Sequence, residues 1–148
     1  MPRERVPLPR HVDFSTGLRV RVNDVNYGRH LANDAVLTLT HEVRLQWLET
    51  HQWQENDLDG IGIIQVDAAV VYKSQAALGQ QLAVDMSVTD CTSRGFAVTT
   101  IFRHAEGRRE VARVRTGFVF FDYAINKLAR TPPAFAALFG ERAQPVVV

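Results

Sequence analysis

The sequence predicts an α+β protein in which one long α-helix packs on an antiparallel β-sheet. Two observations lead to this fold class. Four segments after residue 62 alternate apolar and polar residues, the pattern of half-buried strands, and turn-like connectors of hairpin length join them. Before these strands, residues 35–48 carry apolar side chains at helical spacing. A sheet with one face to cover and an apolar helix to cover it forms a two-layer arrangement.

The first elements are an arm, a strand, a polar turn and the long helix. Residues 1–14 contain three prolines and are expected to form an extended arm. Charged and apolar residues alternate around Arg19, which predicts a strand over residues 18–22. After a turn rich in Asn, Asp and His comes the helix over residues 35–48, which is apolar around most of its circumference. We expect such a helix to be wrapped by other parts of the structure.

The later elements are mainly strands. They are predicted over residues 63–72, 82–89, 96–102 and 112–120. A short helix follows from Pro132 to Phe139, with proline in its first turn, and residues 140–148 are expected to form a tail. A curved sheet of about five strands leaves two exposed edges. Pairing two copies edge to edge would protect them, so the sequence predicts a homodimer.

The composition limits the class of protein. The chain has 148 residues, enough for one domain over residues 1–148, and its net charge of +1 gives no argument for binding nucleic acid or a membrane surface. The single cysteine excludes an internal disulfide, and the five histidines show no metal-ligand spacing. No apolar run approaches the roughly 20 residues of a membrane span, and the N-terminus lacks the apolar segment of a secretory signal. We therefore expect a cytoplasmic protein without a metal site.

A motif runs through the polar turn and the helix. It reads D-x-N-x-x-x-H, then an asparagine near the helix start, then E-x-R within the helix: Asp24, Asn26, His30, Asn33, Glu42 and Arg44. A turn at Gly79, the SRGF hairpin at 93–96 and the segment 117–132 follow in order. This arrangement resembles the hotdog-fold acyl-CoA thioesterases, and especially their 4-hydroxybenzoyl-CoA thioesterase branch.

The resemblance implies a fold, an assembly and a substrate. The sheet would wrap around the central helix, and the chain would form a dimer or a dimer of dimers with active sites at the dimer interface. Acyl-CoA would be the substrate. Coenzyme A would enter only as part of that substrate, and no further cofactor is expected.

One position departs from the family pattern. In the branch that the chain resembles, the second acidic residue of D-x-D attacks the thioester or activates water, and that position here is Asn26. An amide cannot accept a proton near neutral pH. Either another group takes this role, or the protein binds acyl-CoA without efficient hydrolysis. A hydratase or dehydratase using Asp24 and His30 is a weaker third interpretation, because the surrounding motif resembles the thioesterases.

The candidate catalytic groups lie at the start of the helix. Unpaired N–H groups at a helix N-terminus can stabilise a thioester carbonyl that becomes anionic, so those of residues 33–36 are the predicted donors. Asn26 would orient water or bond the carbonyl, unless it only forms an Asx turn. His30 is the candidate base or donor, unless it bonds a neighbouring carbonyl. Asp34 is a spare carboxylate that could act as the base, although it would also complement the helix dipole.

The candidate substrate-binding residues are Asn33, Ser93 and Arg94. Asn33 is also a natural helix N-cap. By the resemblance, the hairpin at 93–95 meets the nucleotide phosphates of coenzyme A, with Arg94 as a bidentate ligand and Ser93 adding a hydroxyl. From composition alone, the same residues form an ordinary hairpin turn. The identity of the acyl group and the choice between dimer and tetramer stay open.

Overall fold

The computed structural model describes residues 2–142, so of the predicted tail, residues 140–148, only the part up to Arg142 lies within the described residues. Its elements are β1 (Phe14–Arg19), a 3-10 turn (Val22–Asp24), α1 (Ala35–Thr50), β2 (Gly62–Tyr72), β3 (Gln81–Thr89), β4 (Gly95–His104), β5 (Glu110–Asp122), β6 (Lys127–Leu128) and α2 (Pro133–Phe139). The strands pair antiparallel in the order β1-β3-β4-β5-β2, and β6 pairs with β5. The predicted α+β class, with an antiparallel sheet and a long helix, is confirmed.

Helix α1 packs on one face of the sheet, called here the inner face. Its buried apolar residues follow helical spacing, and each is at most 3% exposed: Val36, Leu39, Val43 and Trp47. On the other side, Leu37 and Leu45 remain 40% and 43% exposed. A single chain therefore covers only one side of the helix, because its one sheet forms only one covering layer.

The first strand lies earlier than the sequence predicts. Strand β1 pairs with β3 from Phe14↔Met86 to Arg19↔Gln81, so it ends where the prediction of residues 18–22 begins. The segment after it turns into the 3-10 helix from Val22 to Asp24. Ser15, Thr16 and Gly17 carry almost no apolar signal, and it is pairing with β3 that makes them a strand.

The segment between β2 and β3 crosses one end of the sheet. These two strands are not neighbours, so residues 73–80 must pass the ends of β5 and β4. On the way, the Lys73 N–H donates to the Val111 carbonyl at 2.8 Å, and the Leu78 N–H donates to the Arg29 carbonyl at 2.9 Å. The crossing segment is thereby fixed between the sheet and the polar turn that precedes α1.

Strand β2 forms one edge of the sheet. It pairs only with β5 among the described residues, and its register shifts between Gln65 and Asp67, which makes Val66 a bulge. Val66 is 57% exposed. Residues 65–68 in the middle of this strand are exposed, so this part of the edge offers unpaired backbone groups to a further strand.

The opposite, outer face of the sheet is crossed by the N-terminal arm. Residues 11–13 run beside β3, where the Asp13 N–H donates to the Met86 carbonyl at 2.9 Å. Farther along the arm, the Val6 carbonyl accepts a hydrogen bond from Arg113 of β5 at 3.0 Å, and Val6 is only 3% exposed. The arm therefore packs across the sheet from β3 toward β2.

Neither helix of the described residues has the length and apolar character needed to span a bilayer.

Candidate functional site

The polar turn before α1 is held by its own side chains. The Asn26 Oδ1 atom accepts hydrogen bonds from the N–H groups of Gly28 at 3.0 Å and His30 at 3.3 Å. Arg29 has a positive φ of 62°, which closes the turn tightly enough for the Asn26 N–H to donate to the His30 carbonyl at 3.0 Å. Asn26 therefore forms an Asx turn, and its Nδ2 group remains available as a donor.

Asp24 anchors the turn rather than entering the site. It is 3% exposed, and its Oδ2 atom accepts the Arg21 N–H at 2.9 Å. Its carbonyl accepts the Ala32 N–H at 2.8 Å. Asp24 does not line the cavity described next, so this chain does not form the Asp24–His30 pair of the hydratase interpretation.

A cavity of about 280 Å³ lies between the turn, the start of α1 and the crossing segment. Its walls are formed by these residues: Asn26, His30, Leu31, Asn33, Val36, Tyr72, Lys73, Ser74, Gln75 and Val111. The Tyr72 hydroxyl donates to the Asn33 carbonyl at 2.9 Å and so joins the end of β2 to the helix start. The cavity is small and has both polar and apolar walls, as binding sites for small molecules commonly do.

Backbone donors are free at this helix start. Helix α1 begins at Ala35, so Asp34 and not Asn33 occupies the N-cap position, and its side chain makes no capping bond. The Ala35 N–H already donates to the Ala32 carbonyl at 3.1 Å. Within residues 2–142, the N–H groups of Asn33, Asp34 and Val36 have no acceptor. Three of the four predicted donors therefore remain available at the positive end of the helix dipole.

The cavity brings together three of the six predicted site residues. Asn26, His30 and Asn33 line it, whereas Asp34 is exposed beside it and is not part of its wall. Ser93 and Arg94 lie elsewhere: the Phe120 N–H donates to the Arg94 carbonyl at 3.1 Å, near the Gly62 end of β2. The cavity lies at the Tyr72 end, roughly 30 Å away for a strand of 11 residues.

The sequence reasoning missed most of the cavity wall contributed by the sheet. Tyr72 is predicted only as the last residue of a strand, and no motif marks Ser74 or Gln75. The available signal was the polar run Y-K-S-Q at 72–75, directly after a long apolar strand. Polar residues at a strand end often lie in a loop that shapes a site.

The E-x-R pair of the helix does not form an ion pair with itself. Glu42 accepts from Gln46 at 3.3 Å, whereas Arg44, only 7% exposed, donates to Glu55 at 3.1 Å and Gln65 at 3.3 Å. Burial opposes the ionisation of Glu55. Hydrogen bonds from His41 and Arg44 outweigh that effect and hold the pKa of this carboxyl below its ordinary value. This cluster ties the helix to the edge strand β2.

A larger groove adjoins the cavity. It measures about 1280 Å³ and runs along the crossing segment toward the β4–β5 hairpin, lined by His30, Ser74, Gln75, Ala77, Gln80, Gln81, His104, Ala105, Glu106 and Arg109. His30, Ser74 and Gln75 line both spaces. Cavity and groove are therefore neighbours that share one wall. Within residues 2–142, no group of three or more His, Cys, Asp or Glu side chains could hold a metal ion.

Comparison with known proteins identifies the family. A family model described as the thioesterase-like superfamily matches residues 20–139. The chain belongs to this superfamily. The match covers the turn, the central helix and the whole sheet from β2 to β5, which are the parts that build the cavity. The family and the fold together support a thioester hydrolase, as the sequence predicts. A search of curated proteins gave no match.

Solved structures of thioesterases share the fold. A 1,4-dihydroxy-2-naphthoyl-CoA thioesterase from Synechocystis is 19% identical, with a TM-score of 0.77 over 86% of this chain and 96% of that one. A Staphylococcus aureus protein solved in complex with CoA is 11% identical, with a TM-score of 0.79 over 97% and 92%. A 12:0-ACP thioesterase from Umbellularia californica is 14% identical, with a TM-score of 0.74 over 90% and 51%. The predicted hotdog fold is confirmed.

Proposed function

We propose that the protein hydrolyses acyl-CoA thioesters in the cavity at the start of α1. The observation that carries this proposal is the convergence of free donors there. The unpaired N–H groups of Asn33, Asp34 and Val36 lie at the positive end of the helix. Asn26, whose Nδ2 group is free, lines the same cavity as Asn33 and Val36. Donors of this kind stabilise the oxyanion that forms when water attacks a thioester carbonyl.

His30 is the proposed base for the attacking water. Its ring lines the cavity, makes no hydrogen bond within residues 2–142, and is of a residue type that exchanges protons near neutral pH. Water adds to the carbonyl carbon as His30 takes its proton. The tetrahedral intermediate then breaks its C–S bond, and the departing thiolate regains that proton to give a carboxylic acid and free coenzyme A. Asp34 is the alternative base, although it is exposed beside the cavity. No cofactor or metal is needed for these steps.

A homodimer through the β2 edge is part of the proposal. Val66 on that edge and Leu37 and Leu45 on α1 are exposed apolar residues, and a second copy of the chain would cover them. Antiparallel pairing of two β2 strands would bring the Gly62 end of one copy to the Tyr72 end of the other. The predicted contact of Ser93 and Arg94 with coenzyme A requires this second copy. A dimer of dimers and a cytoplasmic location remain further proposals.

The test is release of coenzyme A from a panel of short, long and aromatic acyl-CoA thioesters, followed with a thiol reagent. Wild type is compared with His30→Ala, His30→Gln and Asp34→Ala. We expect the His30 variants to lower kcat about 10²-fold or more, the usual contribution of a general base, at an unchanged melting temperature. Full activity of both His30 variants, with loss in Asp34→Ala, would transfer the role of base to Asp34.

A second candidate function is acyl-CoA binding without efficient hydrolysis. The specific observation behind it is Asn26, whose Oδ1 atom is occupied by the turn and whose amide is not a base. Under this alternative, wild type binds acyl-CoA but releases no coenzyme A from any member of the panel, and Asn26→Asp creates activity. If wild type neither binds nor hydrolyses any acyl-CoA of the panel, both candidate functions fail.

A further inference from the structure

The groove beside the cavity has the position expected of a binding site for the rest of an acyl-CoA molecule. Residues 74–81, from the crossing segment and the first position of β3, form one side of the groove, and the β4–β5 hairpin forms the other. His30, Ser74 and Gln75 lie between the two spaces. A ligand whose reacting end occupies the small cavity can therefore extend past these residues into the groove without leaving the surface of the same chain.

The groove carries hydrogen-bonding groups that suit a ligand containing amides. Gln75 and Gln81 present exposed side-chain amides, and Gln80 has its Oε1 atom fixed by the Ala77 N–H at 2.7 Å, which leaves its Nε2 group as a donor. The Ser74 hydroxyl donates to the Glu110 carbonyl and can still accept. Pantetheine carries two amide groups in a row, and each needs both a donor and an acceptor.

The hairpin side of the groove holds an available guanidinium. Arg109 is exposed and makes no ion pair or side-chain hydrogen bond within residues 2–142. The other arginines around this hairpin are engaged: Arg103 and Arg108 lie 2.9 and 3.9 Å from Asp85, and Arg113 pairs with Glu110. An unpaired guanidinium binds phosphate through two parallel hydrogen bonds.

One charge in the groove acts against a phosphate. Glu106 lines the same space and has no partner in the described chain, so it partly offsets the field of Arg109. This opposition is useful for testing, because the two side chains should change anion binding in opposite directions.

We propose that this groove binds the pantetheine and nucleotide parts of coenzyme A, with Arg109 as a phosphate ligand and the Gln80 amide as a pantetheine contact. The inference rests on the proposed function and assigns the ligand to the same chain that supplies the cavity. It differs from the prediction made from the sequence, in which Arg94 of a second copy meets the phosphates.

Binding of coenzyme A itself, by titration calorimetry, is the first readout because it does not depend on hydrolysis. Arg109→Ala should weaken binding about 10-fold or more, the usual effect of losing a charge-assisted hydrogen bond, and Glu106→Gln should strengthen it. Arg108→Asn is the matched control. It removes a neighbouring arginine that lies beside Asp85, and asparagine tolerates its positive φ of 62°. This control should bind as wild type does.

Kinetics with a shortened substrate test whether Arg109 acts on the phosphate-bearing part of coenzyme A. Arg109→Ala should raise KM for acyl-CoA about 10-fold at unchanged kcat, and should leave the acyl N-acetylcysteamine thioester unaffected because that substrate carries no phosphate. Two results would contradict this assignment of the groove. One is wild-type binding of coenzyme A by Arg109→Ala together with weakened binding by Arg94→Ala, and the other is no binding of coenzyme A by wild type. If coenzyme A binding depends on Arg109 but no thioester is hydrolysed, the groove is supported as a coenzyme A site and the hydrolase proposal fails.

Discussion

Replacement of Asn26 by aspartate tests whether the cavity is the reaction site. In the turn, Asn26 Oδ1 accepts two N–H groups, and one carboxylate oxygen of an aspartate can accept the same two. The second oxygen would then occupy the place of Nδ2, in the cavity wall. Asn26→Asp therefore keeps the turn and adds a base at the position where the related branch is expected to carry one.

The expected changes in stability and in kcat distinguish a structural role of Asn26 from a chemical one. Asn26→Ala loses both turn hydrogen bonds, and because this turn is exposed we expect a cost of about 1–2 kcal/mol in the free energy of unfolding. Asn26→Asp should leave that free energy nearly unchanged. A correctly placed general base contributes about 10²–10⁴-fold to rate, so kcat for an accepted thioester should rise by about 10²-fold.

The assay is coenzyme A release between about pH 6 and pH 9, the range in which an ordinary carboxyl with a reference pKa near 4 is ionised, with thermal denaturation of the same samples. Asn26→Ala serves as the control for a damaged turn. A folded Asn26→Asp variant with wild-type stability and no gain at any pH would refute the reasoning. It would mean that groups in this wall do not reach the thioester.

Three further predictions concern the rest of the chain. Because the folded chain lowers the pKa of Glu55, its ionised form stabilises the fold above about pH 4, and this stability is lost as pH falls through the lower folded pKa; the difference in melting temperature between wild type and Glu55→Gln should therefore shrink from about pH 6 to about pH 3. Val66→Lys puts a charge on the edge proposed for dimerisation, so sedimentation should show a monomer without activity, whereas an active dimer would exclude that edge. Burial raises the pKa of Cys91 to about 11, so at pH 8 the folded protein should react slowly with the thiol reagent and the unfolded chain rapidly; fast labelling of the folded chain would contradict this burial.

The fold was predictable where local pattern and tertiary role agree. Residues 82–89 alternate almost perfectly, and the structure has β3 over Gln81–Thr89. The predicted first strand lies too late in the chain because Ser15, Thr16 and Gly17 have no alternation of apolar and polar residues. Their strand conformation comes from pairing with β3. Pairing between segments that are distant in sequence cannot be predicted from a local pattern.

The candidate site was predictable only in part, for a similar reason. The motif places Asn26, His30 and Asn33 within one turn, and the structure has all three in one cavity wall. Arg94 is close to none of them within one chain, because hairpin positions depend on which end of the sheet each connection occupies. The crossing segment from β2 to β3 decides that geometry, and it brings Ser74 and Gln75 to the site without any motif of their own.

The N-terminal arm has a consequence for how copies of this chain can meet. The Val6 carbonyl accepts a hydrogen bond from Arg113 of β5, and the His11 carbonyl accepts one from the Ser87 hydroxyl of β3. The Asp13 carboxylate accepts the Val88 N–H of β3. A neighbour that approached the outer face would first touch the arm rather than the strands, so stacking of two sheets back to back requires the arm to leave. Edge-to-edge pairing through β2 would meet the arm where residues 2–5 line a space with residues 70–73. Ile101 lies opposite Arg113, the residue that bonds Val6, and is now 3% exposed. Removing residues 2–13 would expose this apolar part of the outer face to a neighbouring molecule.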